Sequence, residues 1–418
     1  MTDKIRIDSH DVSPNLPVQR GGAEILRLNA AGQGVTADGY AVPLAAPGDT
    51  LSADDTVLPG AHHKMPPCRH FPTCGGCTLQ HVDDAAYADF LVDRIAGSLG
   101  AVGIQVAIAA PHLSPPHTRR RASLRAEKSG RRVSIGFNEG KSNRIVDLAE
   151  CWILRPELFA VLAPLRGLLA MLIPDRRSAG IELALCDQGV DLLITGIDPD
   201  GLMAIEAMTA FAQTYRLARL SIDAGAGPEA RWEPEPVTVT LGGVAVGLPA
   251  GSFLQATDDG EAALLAMVRE AVGDAKTIAD LFTGLGTFAL PLSQTARVLA
   301  AESERATILS LKSAAARAGR PLVADHRDLF RRPYTATELS RFDAVVLDPP
   351  RAGAREQVVE LARATCSRIA YVSCNPATFA RDARTLTDGG WRLEAVKPVG
   401  QFRWSTHVEL AARFVREA

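Results

Sequence analysis

The segment TIADLFTGLGT, residues 277–287, decides the fold of this chain. It begins with the apolar run of a buried strand, and Gly284 and Gly286 then allow the tight turn that leads into a helix. Further apolar runs, separated by helical stretches such as ATILSLKSAAARAG, follow at 297–302, 343–349 and 368–374. This alternation predicts a doubly wound α/β sheet that starts near residue 275.

The glycine loop predicts a site for a nucleotide-like ligand. Glu302 ends the next predicted strand, 22 residues after Asp280, where a carboxylate can accept hydrogen bonds from ribose hydroxyls. Ala289 replaces the last glycine of the G-x-G-x-x-G pattern, which disfavours a dinucleotide and favours an adenosine-type cofactor. The alternative is a purely structural turn between strand and helix.

Two polar motifs end the last strands of the predicted sheet. Asp348 begins DPPR, and Cys374 lies in SCNP, directly ahead of a predicted helix. Ligands bind beyond the carboxyl ends of strands in such sheets, so both motifs are expected at the crevice of the glycine loop. The helix N-terminus is expected to lower the pKa of Cys374, a candidate nucleophile. Glu409, in the predicted strand VELAARF, is a candidate general base, although a packed cysteine and a surface glutamate are the ordinary alternatives.

Three of the seven cysteines, Cys68, Cys74 and Cys77, lie within ten residues of one another. The two glycines between Cys74 and Cys77 allow the backbone to wrap closely, and Cys151 could supply a fourth thiolate. Four thiolates suit zinc or an iron–sulfur cluster, and the residues alone do not decide between them. The spacing is not the C-x3-C-x2-C of radical enzymes, and buried free thiols are the alternative.

The composition, 47% apolar and 22% charged over 418 residues, is that of a globular protein with two or three domains. A net charge of -3 excludes a globally basic nucleic-acid binder. No apolar run reaches the roughly 18 residues of a membrane helix. The polar N-terminus has no signal-peptide core, so we expect a cytoplasmic protein.

A basic segment lies between Arg119 and Arg144, with a local balance of +7 against Glu127 and Glu139. It is a candidate RNA-binding face, and a solvated charged hairpin is the alternative. Its cations are Arg119, Arg120, Arg121, Arg125, Lys128, Arg131, Arg132, Lys141 and Arg144.

We predict three parts for the chain. Residues 1–66 are glycine-rich, with short alternating strands that suit a small β-barrel. Residues 67–250 hold the four candidate cluster cysteines and the basic segment, with a helix that stops at Gly100 and strand-like segments through about 245. Residues 251–418 form the α/β domain.

The ordered motifs resemble the RNA uridine-5-methyltransferases that use S-adenosylmethionine. The resemblance runs from about residue 68 to the C-terminus, through CRHFPTCGGCTLQH, RRRASL, AECWIL, SFLQ, DLFTGLGTF, DPPRAG, SCNPATFARD and HVE. It implies a Rossmann-like class I methyltransferase domain with a mixed, mainly parallel sheet. It also implies a β-rich central RNA-binding domain and an N-terminal β-barrel-like (TRAM-type) segment, which looks shortened here.

The resemblance also implies roles for particular residues. Cys374 would attack C6 of uridine, and Glu409 would remove the C5 proton. A [4Fe-4S] cluster would bind Cys68, Cys74, Cys77 and Cys151. The cofactor would be surrounded by Gln255, Phe282, Gly284, Thr287, Glu302, Asp328 and Asp348. Thr287 stands where many relatives have asparagine.

The cluster cysteines favour 23S rRNA as the substrate, because relatives that act on the tRNA T-loop lack them. The alternatives are a tRNA 5-methyluridine methyltransferase, a methyltransferase that acts on another nucleic-acid atom, and a noncatalytic RNA-binding or assembly protein. We expect a monomer without membrane partners.

Overall fold

The structure is a computed structural model that describes residues 21–140 and 142–416. The predicted lack of a signal peptide concerns residues outside this range. The described chain forms two compact units: residues up to Lys64 with His81–Ala86, and Met65–Gln80 with the chain from Tyr87 onward. The three-part division at residues 66 and 250 stays a prediction.

The first unit consists of short strands, as predicted for the N-terminal segment. β1–β2–β3 form an antiparallel sheet and β4–β5 a hairpin, around a small core that includes Ile25 and Leu51. The strands are β1 (Ile25–Leu28), β2 (Gly34–Thr36), β3 (Ala41–Val42), β4 (Thr50–Leu51) and β5 (Val57–Leu58).

A six-stranded sheet with the order β12-β11-β10-β9-β7-β8 forms the centre of the chain. Helix α1 (Asp84–Gly100) precedes it and ends at the predicted glycine. The strands of this region are β6 (His112–Leu113), β7 (Arg121–Ser129), β8 (Arg132–Gly136), β9 (Ser178–Cys186), β10 (Gly189–Thr195), β11 (Arg219–Asp223) and β12 (Glu229–Trp232). β6 belongs to the C-terminal sheet instead.

The prediction of strands throughout the central region was wrong at two helices, α2 (Pro156–Leu172) and α3 (Leu202–Thr214). The signal was present in the sequence, because the buried leucines of α2 recur at intervals of three and four residues. They are Leu158, Leu162, Leu165, Leu168, Leu169 and Leu172.

The C-terminal sheet has eight strands in the order β17-β16-β15-β18-β19-β21-β20-β6. A separate hairpin, β13 (Thr238–Leu241) and β14 (Val244–Gly247), precedes it. Besides β6, the strands of the C-terminal sheet are β15 (Thr277–Leu281), β16 (Arg297–Glu302), β17 (Leu322–His326), β18 (Ala344–Leu347), β19 (Arg368–Ser373), β20 (Arg392–Gly400) and β21 (Glu409–Val415). Its helices are α4 (Asp258–Val272), α5 (Ala289–Leu292), α6 (Arg305–Arg317), α7 (Ala336–Leu339), α8 (Arg355–Leu361) and α9 (Pro376–Asp388).

The predicted α/β fold class is confirmed by this sheet. Strands β15 to β19 are parallel, and only β21 runs against both of its neighbours. β15, β18 and β19 are almost wholly buried, which is the pattern of parallel strands covered on both faces. The short strand β6, from the first third of the chain, pairs with β20 and closes that edge. In the described part of the chain, no helix is long and apolar enough to cross a membrane.

Candidate active site

The predicted catalytic and cofactor residues gather at the carboxyl edge of the C-terminal sheet. β15, β18 and β19 end directly before Phe282, Asp348 and Cys374. β21 is antiparallel and pairs Leu410 with Ser373, so Glu409 at its start lies beside the end of β19. The topology therefore places Cys374, which directly follows β19, near Glu409 at the start of the adjacent strand β21.

The glycine loop is fastened to Glu302. The N–H of Gly284 donates to the Glu302 carboxylate at 3.1 Å, and the other carboxylate oxygen accepts from the N–H groups of Ser303 and Glu304. Gly286 has a φ of 94°, and a Cβ there would lie 2.6 Å from the Leu311 side chain, so glycine is required. The hydrogen bond from Gly284 to Glu302 thus holds the backbone of the glycine loop against the end of β16.

An aromatic pair flanks the loop. Phe282 has a φ of 63°, and its ring centroid lies 5.5 Å from that of Phe330. Asp328 accepts hydrogen bonds from the N–H groups of Phe330 and Arg331, so it orders the turn that carries Phe330. Sequence reasoning missed Phe330, because its exposure is visible only in the structure. Thr287 is partly buried in the turn before α5.

A cleft of about 570 Å³ opens at the loop. Gly251, Phe253, Gly284 and Glu302 are among the residues that line it. Its size is within the range of small-molecule sites, so it can accept an adenosine-type cofactor.

Two buried carboxyl groups give this edge an unusual electrostatic character. Burial raises the pKa of Asp280 to about 7, although the Thr283 hydroxyl donates to it at 2.6 Å. Burial, with the charges of Glu409 and Asp280, raises the pKa of Asp348 well above its usual value. A positively charged ligand would relieve this repulsion.

The expected lowering of the Cys374 pKa was wrong. Burial raises the pKa of this thiol, and the nearby carboxylates of Glu409 and Asp348 raise it further, while Arg351 opposes them. The helix is present, and Asn375 caps it by accepting from the N–H of Ala377. Desolvation and two neighbouring acids therefore outweigh one helix terminus in the free protein.

Glu409 is 4% exposed, and its polar neighbours are Gln401 and Arg121. Burial raises its pKa to about 7, against a hydrogen bond from Gln401 and the charge of Arg121. A carboxyl group with this pKa can exchange a proton near neutral pH.

Gln401 was missed by the sequence analysis. Its amide donates to Glu409 and, at 2.7 Å, to the side-chain oxygen of Gln255. The side-chain nitrogen of Gln255 lies 3.4 Å from the Asp348 carboxylate. Gln401 directly follows β20, and its partners were not visible in the sequence.

The basic segment divides in the structure. Arg120 donates from Nε to the main-chain oxygen of Gln255 and pairs with Asp258, so it stabilises the segment that carries Gln255. The guanidinium of Arg121 lies 4.3 Å from the ring centroid of Phe253, an exposed aromatic at the cleft. Farther along, Arg125, Arg131, Arg132 and Arg144 are exposed, and Lys141 lies outside the described residues.

The four predicted cluster cysteines line one small cavity, together with Phe137 and Trp152. None of them forms a disulfide. The backbone comes close here, because a Cβ on Gly75 would lie 2.6 Å from the carbonyl oxygen of Asn138. The N–H groups of Thr78 and Leu79, directly after Cys77, both donate to the carbonyl of Trp404, at 2.7 and 2.9 Å. The cysteine segment therefore supports the loop that precedes Glu409.

No group of three or more His, Cys, Asp or Glu side chains in the described residues is arranged to hold a metal ion. A zinc ion holds thiolates about 2.3 Å away, hence within about 4 Å of one another, whereas a four-iron cluster spreads its ligands farther apart. Burial raises the pKa of all four thiols, and neighbouring thiols raise those of Cys74 and Cys77 further. Four thiolates here would require a compensating positive group.

Known proteins resemble this chain in sequence and in fold. A family model described as tRNA (Uracil-5-)-methyltransferase matches residues 321–416. The chain is 53% identical, over 94% of its length and 99% of the relative, to an uncharacterised RNA methyltransferase of Zymomonas mobilis. It is 31% identical, over 86% of its length and 84% of the relative, to RlmD of Aeromonas salmonicida, a 23S rRNA (uracil(1939)-C(5))-methyltransferase.

Among solved structures, the chain matches a Pyrococcus abyssi tRNA (uracil-54, C5)-methyltransferase in complex with S-adenosyl-L-homocysteine. The TM-score is 0.72 at 23% identity, and the match covers 94% of this chain and 100% of that one. The fold is therefore that of an α/β methyltransferase. With the sequence relatives, the assignment becomes specific: the chain belongs to the RNA uracil-5-methyltransferase family.

Proposed function

We propose that this protein methylates C5 of a specific uridine in 23S rRNA, with Cys374 as nucleophile and Glu409 as base. The observation that carries the proposal is that Cys374 directly follows β19 while Glu409 begins the adjacent strand β21, at the same edge of the sheet as the glycine loop. The relative that acts on 23S rRNA supports the choice of substrate. The tRNA description of the matching family model makes tRNA the second candidate.

The chemistry follows from the poor nucleophilicity of uracil C5. The Cys374 thiolate attacks C6, and the electron pair of the C5–C6 bond moves into an enolate across C5, C4 and O4. Bound S-adenosylmethionine supplies the methyl group as an electrophile. Glu409 then takes the proton from methylated C5, the C5–C6 double bond reforms, and the thiolate of Cys374 leaves. The enzyme is regenerated once Glu409 releases its proton.

The cofactor is assigned to the cleft at the glycine loop. Glu302 suits the ribose hydroxyls, and the carboxyl groups of Asp280 and Asp348 suit the positive charges of S-adenosylmethionine. The residues proposed to surround it are Gln255, Phe282, Gly284, Thr287, Glu302, Asp328 and Asp348. Phe253, at the same cleft, and Arg121, which contacts its ring, offer an exposed aromatic and a cation that suit an unstacked base.

We further propose that Cys68, Cys74, Cys77 and Cys151 hold a [4Fe-4S] cluster. Four thiols around one cavity, without a disulfide and with a backbone that requires glycine, fit this group. Its role would be structural, because the residues after Cys77 donate hydrogen bonds to the Trp404 carbonyl.

All proposed catalytic residues come from one chain, so a monomer suffices, and we place the protein in the cytoplasm with its RNA.

The product identifies the function. Anaerobically purified protein, incubated with labelled S-adenosylmethionine and rRNA that lacks this modification, is expected to yield labelled 5-methyluridine from 23S rRNA after nucleoside digestion. Unmodified tRNA, tested in parallel, is expected to remain unlabelled. Label in tRNA alone would keep the chemistry and overturn the substrate. A different labelled nucleoside would overturn the chemistry.

The cysteine site predicts bound iron. Anaerobically purified protein is expected to contain about four irons and four sulfides per chain and to absorb visible light through the charge-transfer bands of such clusters. Cys151→Ser is expected to lose both, whereas Cys186→Ser, at a buried cysteine outside the cavity, retains them. Stoichiometric zinc without sulfide would overturn the cluster.

A further inference from the structure

We propose that Gln401 is a positioning residue that holds the Glu409 carboxyl in place and connects it to Gln255 on the cofactor side. The inference deepens the proposed function and rests on the role of Glu409 as the base. Nothing in the sequence motifs assigns a role to Gln401. The structure assigns one through four hydrogen bonds made by a single side chain.

The Gln401 amide is buried, at 1% exposure, and its orientation is fixed. Its oxygen accepts from the N–H of Ala256 at 2.8 Å and faces the N–H of Thr257 at 3.4 Å. Main-chain N–H groups can only donate, so this end of the amide is the oxygen. The nitrogen is thereby directed to the opposite side, where both of its hydrogens have acceptors.

One acceptor is on the side of the proposed base, and the other is on the side of the proposed cofactor. One is the Glu409 carboxyl, and the other is the side-chain oxygen of Gln255, at 2.7 Å. Gln255 in turn faces Asp348 at 3.4 Å. A continuous row of side chains thus runs from the cofactor carboxylate to the base, and Gln401 is the member that touches Glu409.

The surroundings of Glu409 explain why this contact matters. Arg121 from β7 attracts its charge, whereas Asp348 after β18 and Cys374 after β19 interact unfavourably with it. Gln401, after β20, supplies a directional hydrogen bond that favours the ionised carboxylate. Without that donor, the Glu409 carboxyl would still be buried and close to Asp348. Its pKa would therefore rise, and its orientation would no longer be fixed.

A matched control distinguishes positioning from general structural support. Gln357 is also fully buried, and it makes two main-chain hydrogen bonds to Tyr334, away from Glu409. Gln401→Leu and Gln357→Leu therefore remove the same groups from buried sites in the same sheet domain. Gln401→Glu keeps an acceptor for Ala256 while it replaces the donor to Glu409, and it serves as the second variant where the leucine protein does not fold.

The experiment uses single-turnover conditions and a 23S rRNA fragment, and it measures release of the methylated RNA from the covalent adduct between pH 6 and 9, with thermal melts to verify folding. Gln401→Leu and Gln401→Glu are expected to release the methylated RNA about 10-fold more slowly than wild type at pH 7, with the acid limb of the release rate moved upward by about one pH unit and the rate partly recovered at pH 9. The covalent RNA adduct is expected to accumulate at pH 7. Gln357→Leu is expected to keep the wild-type profile.

Two outcomes separate the possible failures. If folded Gln401 variants show the wild-type profile, or an equal loss at every pH, the positioning role is wrong while the proposed function stands. If Glu409→Gln resolves its adduct at the wild-type rate, the assignment of the base is wrong, and the inference about Gln401 falls with it.

Discussion

Cys374→Ala is expected to transfer no detectable methyl group to RNA, a loss of at least about 1,000-fold. C5 of uracil becomes nucleophilic only after C6 has been attacked, and no other cysteine lies at this edge: in the described structure Cys366, the nearest in sequence, is buried ahead of β19. The measurement is transfer of labelled methyl groups from S-adenosylmethionine to unmodified rRNA, with product analysis as 5-methyluridine.

The control for this variant is Cys366→Ala, which removes a buried thiol from the same domain and is expected to retain activity. Both proteins should bind S-adenosylhomocysteine equally, because Cys374 is not among the residues that surround the proposed cofactor. Full methylation by the Cys374 variant would mean that another atom of the RNA is the acceptor.

Glu409→Gln is expected to slow product release by about 100-fold or more and to trap protein on RNA. The thiolate can still attack and C5 can still be methylated, but the C5 proton has no base to remove it. The adduct therefore persists as a covalent complex visible on a denaturing gel. Glu394→Gln is the matched control, because Glu394 lies on β20 and pairs with Arg413 at 2.9 Å, away from Cys374.

The pH dependence of the wild-type enzyme belongs to the same prediction. Glu409 must be ionised to accept a proton, and burial raises its pKa to about 7. Resolution of the adduct should therefore rise with pH through about 7 and level off above it. A rate that falls over this interval, or rapid release by Glu409→Gln, would contradict the assignment.

The sequence predicted the C-terminal sheet well because its signals are local. TIADLFTGLGT contains the strand, the turn and the start of the helix within a few residues. Glu302, Asp348 and Cys374 were placed correctly at the sheet edge because parallel strands share the direction of their carboxyl ends. The topology then required nothing beyond the order of the motifs. The roles of these residues remain proposals.

The pKa of Cys374 could not be predicted in this way. Its direction depends on burial and on Glu409 and Asp348, which come from other strands. The same holds for Gln401, whose partners in the segment 255–257 are contributed from before α4. Arg120 and Arg125 are equivalent in a count of charges, yet Arg120 pairs inward and Arg125 is exposed. Tertiary contacts decided each of these cases.

The pairing of β6 with β20, and the bonds from Thr78 and Leu79 to Trp404, have a consequence for synthesis of the chain. The ribosome makes the cysteine segment and β6 before helices α2 to α9, and their partners, Trp404 and β20, emerge only after α9. The nascent protein therefore carries this strand and these N–H groups unpaired while most of the molecule is made. A product that terminates before β20 would have neither a finished sheet edge nor Glu409, so we expect it to release no methylated RNA.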